Sequence, residues 1–404
     1  MHIFLSHSPS LGRSSRCRKV KLASDFLLAW RAIANGVTHQ TSQGRNKYWS
    51  KWCSYVSSCN ASPSLAEKPP LQQAIILTGF DQRVRSGAYG RGDKIKVQSI
   101  NQALAAITAT LELGGQQSPA LQSEGNYITP LHQQLEGLRR EDPPSIPQLA
   151  VPVSLVKHIT NHHGASSQPI QTATAELISI AFFYLLRVGE YTTPRKVKVN
   201  GKWQRATRTR QFRVQDVGFF KDGQVLPRSS LLEILLSADS VTLKISNQKN
   251  GRMGQTIHQE STGPQGAVAC LARRVHHILY HGGSDSRLIC DVMVKEQWHS
   301  VTRQGIVTLI QQGAKDLKLD QRGIDPDLLG SHSLRAGGAM ALKLQHYADT
   351  LIQKLGRWSS TTWLQYIHAQ IAHLSKGVAA KMSEDLPFYN IAFIEAPSST
   401  SPPS

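Results

Sequence analysis

The sequence predicts a mostly α-helical protein of two domains, with a small antiparallel β-sheet in the second. Three observations carry this. Apolar residues recur at helical spacing early and late in the chain, alternating β-type segments are confined to about 196–260, and four prolines crowd into 143–152. With 404 residues the chain can bury a separate core in each domain.

Taken in order, residues 1–20 place basic residues after a short apolar start, the reverse of a secretory signal, and read as a disordered basic tail. From 21 to 140 the pattern is helical. "SDFLLAWRAIA" opens on a Ser/Asp cap and spaces Phe26, Leu27, Trp30 and Ile33 along one face. "QSINQALAAITATLEL" does the same with Ile100, Leu104, Ile107 and Leu111. Between them, "DQRVRSGAYGRGDKIK" sets Arg83, Arg85, Arg91, Lys94 and Lys96 around Tyr89 and three glycines. No Gly-Lys-Ser/Thr follows, so this is not a nucleotide cradle; it reads either as a solvated loop or as a backbone contact to phosphates.

The proline-rich stretch 141–152 is the linker, and 153–385 forms the second domain. This domain begins with a helix over about 170–188, whose apolar run "LISIAFFYLL" falls short of the roughly 18 residues a membrane span needs. In "KVKVNGKW" an Asn-Gly turn joins two alternating segments as a hairpin. "SVTLKIS" and "GQTIHQE" form a second pair around the tip "NQKNGRM", which carries Lys249 and Arg252. Nine basic residues and one acid, Glu190, lie between Arg187 and Arg213, so the sheet should present a positive face that includes Arg208 and Arg210. Helices resume to about 382, and 386–404, rich in Pro and Ser, reads as disordered.

Composition narrows the partner. Lys and Arg number 46 against 27 Asp and Glu, an excess of +19, so the first partner to consider is a polyanion, most commonly nucleic acid. The five scattered cysteines make no C-x-x-C pair, as expected of reduced thiols inside a cell. His158 and His162 sit four apart, and His276, His277 and His281 cluster. Without an H-E-x-x-H or a cysteine pair both groups read as surface or capping histidines, and no metal site is expected.

Some residues could carry chemistry. Arg187 closes the apolar helix and needs an anion, with Glu190 at hand. His332 and Arg335 in "SHSLRAGGAMAL" share a helix face, so that an imidazole and a guanidinium can bond one phosphate, while Gly337 and Gly338 suggest a close backbone approach. In "LGRWSSTTWLQYIH" and beyond, Trp363, Leu364, Ile367, Ile371 and Leu374 make an apolar stripe, with Tyr366 at its flank. That tyrosine is either an interfacial residue or one that presents its hydroxyl into a cleft.

An Arg at a helix end, a Lys at a hairpin tip, a His-x-x-Arg, a Gly-Arg-Trp and a Tyr, in this order, resemble the tyrosine recombinase (phage integrase-like) superfamily. "LLRVGEYT", "HSLRAGGAMAL" and "GRWSSTTWLQYIH" are most similar to recombinases of eukaryotic mobile elements of the Crypton and DIRS types, and the step from Trp358 to Tyr366 is one residue shorter than the common bacterial form. The resemblance covers about 150–385 and implies an integrase-like catalytic domain behind a helical core-binding domain. It implies that Tyr366 attacks a DNA phosphodiester to give a 3′-phosphotyrosyl bond, without metal, ATP or cofactor. It further implies that Arg187 and Arg335 hold the phosphate, His332 assists proton transfer, Trp358 packs beside the tyrosine, and Glu190 supports the first arginine. Lys249, or alternatively Lys244, would protonate the leaving oxygen. Arg83, Arg85, Arg91, Lys94, Lys96, Arg208, Arg210 and Arg252 are the expected contacts to double-stranded DNA. A homotetramer on two DNA sites, no membrane association and a nuclear location complete the expectation. The alternatives are a type IB topoisomerase-like enzyme and a domesticated DNA-binding protein without catalysis.

Overall fold

The computed structural model describes residues 39–366, except 91, 123, 145–148, 165, 195, 200–201, 206–209 and 246–253, and a few residues between 25 and 37. The chain divides into two compact units, Met1–Ser145 and Ile146–Ser404.

Among the described residues the first unit contains helices α1 (His39–Ser58), α2 (Pro70–Arg85), α3 (Val97–Leu113) and α4 (Thr129–Glu141). The stripe expected for α3 is its buried face, since Ile100, Leu104, Ile107 and Leu111 all pack into the core with Trp52, Phe80 and Leu135. Prolines open α2 and α4, where a missing N–H costs nothing. The helix expected at 24–34 has Phe26, Leu27, Trp30 and Ile33 outside the described residues. The Gly-rich segment after α2 is a closed turn. Gly87 sits at φ +72, a side chain there would meet the Asp93 backbone, and the Gly90 and Gly92 amides both donate to the Gly87 carbonyl.

One residue in this core is out of place. Asp81 on α2 is fully buried, and neither carboxylate oxygen has a hydrogen-bond partner among the described residues. Burial pushes its pKa up to about 8. In the unfolded chain the same group ionises near pH 4, so stability falls as pH rises from about 4 to 8 and levels off above that. Asp81→Leu is therefore expected to raise the melting temperature at pH 8 by much more than at pH 4; equal shifts at both values would refute the titration.

The second unit begins with α5 (Val153–His163), α6 (Pro169–Phe183) and the short α7 (Val188–Tyr191). Strands β1 (Lys196–Val199) and β2 (Lys202–Arg205) follow, then β3 (Val217–Lys221), β4 (Gln224–Leu226), α8 (Leu232–Leu236), β5 (Ser240–Lys244) and β6 (Thr256–Glu260). The unit continues with α9 (Ala267–Tyr280), β7 (Asp291–Val294), β8 (Gln297–Ser300), α10 (Arg303–Asp316), α11 (Ser333–Leu344), α12 (Asp349–Gly356) and a 3₁₀ turn, Thr361–Tyr366. The fold is mostly helical with one four-stranded antiparallel sheet, in the order β4-β3-β5-β6. The hairpin expected from "KVKVNGKW" is present as β1–β2, with Val199 opposite Lys202, yet it stands apart from that sheet as its own ribbon. The side chains of 195–209 lie outside the described residues, and the positive face expected there with them.

Helix α6 is the axis of this core. It is buried on all sides from Ala173 to Phe182, which accounts for its nearly continuous apolar run. It ends five residues earlier than expected, at Phe183, and the chain then turns through Leu185 at φ +51. Helix α11 lies directly against this turn: a side chain at Gly337 would strike the Val151 carbonyl, and one at Gly338 the Phe182 carbonyl. The close approach expected of the paired glycines is thus real. No helix among the described residues is long and apolar enough to cross a membrane.

Candidate active site

The premature end of α6 changes the setting of Arg187. It does not close that helix; it is the N-cap of α7, in extended backbone at φ −82 and ψ 141. Its amide donates to Glu190 Oε2 at 2.8 Å, and its guanidinium reaches Glu190 Oε1 at 3.5 Å and the Arg357 carbonyl at 3.4 Å. Arg335 arrives from the first turn of α11. It is 2% exposed, donates Nη1 to the Leu185 carbonyl at 2.8 Å and Nη2 to the Gly356 carbonyl, and lies 4.3 Å from the Trp358 ring centroid. Two guanidiniums remote in sequence therefore meet at adjacent carbonyls of one turn, Gly356 and Arg357, in the loop that leads to Tyr366.

That turn is held by Arg357 itself, a site residue the sequence reading missed. Arg357 caps α12 in the left-handed region, at φ 57 and ψ 39, with its side chain fully buried. It grips Glu190 with two bonds of 3.0 Å and also donates to the Leu185 carbonyl at 3.2 Å. Glu190 therefore supports both arginines, and Arg357 more closely than Arg187. Burial by itself would raise the Glu190 pKa, but the Arg357 guanidinium, the Arg187 amide and the Arg187 charge together hold it below the usual carboxylate range. A glycine at the end of α12 would normally supply the left-handed cap; here the arginine after Gly356 adopts it.

Gly356 has a different task. A Cβ there would collide with the Trp358 indole, so only glycine lets Trp358 fold back onto Arg335. Trp358 also packs 6.1 Å from Trp363, in a small cluster with Leu185, Ala339 and Ile352. Gly356→Ala is expected to displace Trp358, cost about 1–3 kcal/mol in urea unfolding and red-shift tryptophan emission. An unchanged spectrum would show that the indole was never seated there.

The remaining expected residues divide. His332 occupies the N-cap position of α11, three residues before Arg335, and is partly exposed. Trp363 is buried, but Leu364 is 44% exposed, so the apolar stripe expected of both does not hold at Leu364, because the chain makes a 3₁₀ turn there instead of an α-helix. Tyr366 ends that turn, with its side chain outside the described residues, as are Ile367, Ile371 and Leu374. Lys249 is also outside them; Lys244 is exposed at the end of β5, opposite Thr256.

Of the expected DNA contacts, Arg91, Arg208 and Arg252 lie outside the described residues, while Arg83, Lys94, Lys96 and Arg210 are exposed. Lys94 pairs with Glu141 at 2.9 Å. Arg85 needs correction: it is 4% exposed, bound to Asp142 and to the Ile95 and Leu138 carbonyls, and it ties α2 to the end of α4. With its charge paired to Asp142, this guanidinium is a structural link between the two helices, and the open contact to DNA expected of it is not what the fold provides.

No group of three His, Cys, Asp or Glu able to hold a metal occurs among the described residues. His158 and His162 stack on the face of α5, with His158 3.7 Å from Asp316. His277 accepts the Met293 amide at 3.0 Å, and burial, with Arg274 nearby, pushes its pKa down to about 4, so it is a neutral structural acceptor near pH 7.

No family model and no curated protein matches the chain. Solved structures do show similarity. The Tn1549 transposon integrase in complex with circular intermediate DNA shares 12% identity over 88% of this chain and 98% of that one, with a TM-score of 0.43. The XerH site-specific recombinase bound to a palindromic difH substrate shares 13% over 76% and 72%, with a TM-score of 0.45. A lambda integrase dimer bound to a core site shares 12% over 86% and 95%, with a TM-score of 0.41. These similarities are weak in identity and in superposition, and the functional reading rests instead on the residues of the site.

Proposed function

We propose that this chain is a site-specific DNA recombinase of the tyrosine recombinase type, derived from or resident in a mobile element. The observation that carries the reading is the meeting of Arg187 and Arg335 at the Gly356–Arg357 turn. Guanidiniums converging at one turn supply the charge and the directed N–H donors that a phosphodiester gaining charge in its transition state needs.

In this reading the Tyr366 oxygen attacks the scissile phosphorus while Arg187 and Arg335 hold the non-bridging oxygens. The P–O5′ bond breaks, the phosphorus stays on the tyrosine as a 3′-phosphotyrosyl ester, and the leaving 5′-oxygen takes a proton from Lys249 or Lys244. His332 accepts or relays the tyrosine's proton. One phosphodiester replaces another, so neither ATP nor a metal is required. Return attack by a 5′-hydroxyl from a second duplex gives strand exchange; the same hydroxyl returning would give topoisomerase-like relaxation. Assembly as a homotetramer on two sites and a nuclear location belong to the same proposal, on the resemblance alone.

A DNA-binding protein without catalysis is the second reading, favoured by the near-complete burial of Arg335 under Trp358. The experiment that separates the two is incubation with supercoiled plasmid and diverse duplex fragments, without metal, followed by detergent, nuclease digestion and mass spectrometry. The expected result is a nucleotide remnant on the peptide that carries Tyr366. A remnant on another residue would overturn the assignment of the nucleophile. Retention of duplex DNA across the fragment pool with no remnant would favour the binding-only reading.

A further inference from the structure

A concavity of about 380 Å³ lies in the second unit, on residues the site around Arg187 and Arg335 does not use. Its wall is made where the segment before β3 pairs with the segment before β7. Arg213 bridges Leu288, the Val214 amide donates to the Arg287 carbonyl at 3.0 Å, and the Gln215 amide donates to the Asp285 carbonyl at 2.8 Å. In this register Arg213 lies opposite Leu288 and Arg287 opposite Val214, so the two arginines sit diagonally on adjoining segments, and both line the concavity. Thr193 and Pro194, which lead into the basic hairpin β1–β2, line the same concavity.

The two guanidiniums differ in what they already hold. Arg287 stacks 4.0 Å from the Trp298 ring centroid and reaches Asp291 at 3.2 Å, but its Nε–H is buried with no acceptor among the described residues. Asp291 in turn takes the Ser300 hydroxyl at 2.6 Å, so its charge is spent on these two neighbours. Arg213 caps the turn before β3, its amide donating to Asp216 Oδ2 at 2.9 Å, and the nearby Asp285 is held by Arg228 at 2.8 Å. The hydroxyls of Ser284 and Ser286 are 2.8 Å apart, and since one donates to the other, one hydrogen is left over. The Arg213 and Arg287 guanidiniums and a spare hydroxyl donor line one polar hollow. A carboxyl ligand would use two of these donors, whereas a phosphate has oxygens for all three.

We infer that this hollow is an oxyanion site that seats a phosphate group. The phosphate belongs either to the backbone of DNA bound along the β1–β2 hairpin, an inference that rests on the proposed function, or to a free phosphate compound. Two measurements on the full chain separate these, each on wild type, Arg213→Gln and Ser286→Glu, the second variant placing a carboxylate in the hollow without removing an arginine. Melting temperatures in sodium chloride first establish that the variants fold.

The first measurement is duplex binding by fluorescence anisotropy across salt concentrations. A backbone phosphate in the hollow predicts weaker binding by both variants on every sequence, with the slope of log affinity against log salt smaller by about 0.9. The second is the melting temperature as sodium phosphate replaces sodium chloride in the low millimolar range at constant ionic strength, where the general stabilising effect of salts is small. A free-phosphate site predicts an extra stabilisation by phosphate in wild type that both variants lose. Either result supports the site and names its source. Slopes and phosphate shifts unchanged in both variants would overturn it. Because neither measurement needs cleavage, loss of the recombinase reading through a missing Tyr366 adduct would leave this result standing.

Discussion

Arg335→Gln abolishes most of the adduct: single-turnover cleavage is expected to fall by roughly 10²–10³, the usual cost of one lost charge-stabilising donor, while duplex affinity changes only a few-fold. The expectation follows from how Arg335 is held. Its donors to the Leu185 and Gly356 carbonyls aim the plane of the guanidinium. The present burial under Trp358 means that a phosphate reaches it only as the indole shifts. Arg335→Lys should fare nearly as badly, because an ammonium on a flexible stem cannot span two carbonyls and a phosphate at once. Loss of the carbonyl contacts also costs about 1–3 kcal/mol of stability, so cleavage is compared at a temperature where a melt shows both variants folded. Cleavage by Arg335→Gln within about tenfold of wild type would exclude Arg335 from transition-state stabilisation as such donors normally give it.

Glu190→Gln is the largest expected loss of stability. The Arg357 guanidinium is fully buried and its counter-charge is Glu190, two bonds at 3.0 Å; a neutral amide leaves a buried cation uncompensated. Removing one partner of such a pair costs about 3–5 kcal/mol, which for a domain of this size is a melting shift of roughly 6–20 °C. The pH dependence has a definite sign. Glu190 is held below its unfolded value, so its contribution is complete above about pH 4.3 and fades as pH falls through the lower folded value. Wild type should therefore lose stability in that acidic window, and Glu190→Gln should lack that part of the slope. A variant that melts within 2 °C or so of wild type, against the shift that a broken buried pair implies, would show the pair to be dispensable.

Where sequence signals were local, they described the structure well. The stripe on α3, the Asn-Gly hairpin, the β5–β6 pair and the paired glycines of α11 each follow from spacing or from one residue's conformational freedom. The β3–β4 turn at Asp222–Gly223 carried a usable Asp-Gly signal in a short strand pair. The β7–β8 turn did not: Lys295 and Glu296 both adopt positive φ with no glycine or asparagine to announce it. Arg187 at a helix end was misread because Tyr184 and Leu185 continue the apolar pattern of α6 after the helix has stopped, and hydropathy does not record a left-handed residue. Arg357 was invisible for a related reason. An arginine beside a tryptophan reads as surface, and its partner lies far away in sequence, a pairing that only the tertiary fold creates.

The Leu185 turn has an evolutionary consequence. Arg335 and Arg357 both hang from the Leu185 carbonyl, Arg335 also from that of Gly356, and Arg187 from that of Arg357. Main-chain oxygens are supplied by every amino acid, so lineages can exchange the side chains that frame these arginines and keep the acceptors in place, provided the chain at 185 still turns left-handed. The acceptors of this centre thus depend on the backbone shape at 185 and not on the identity of the side chains around it.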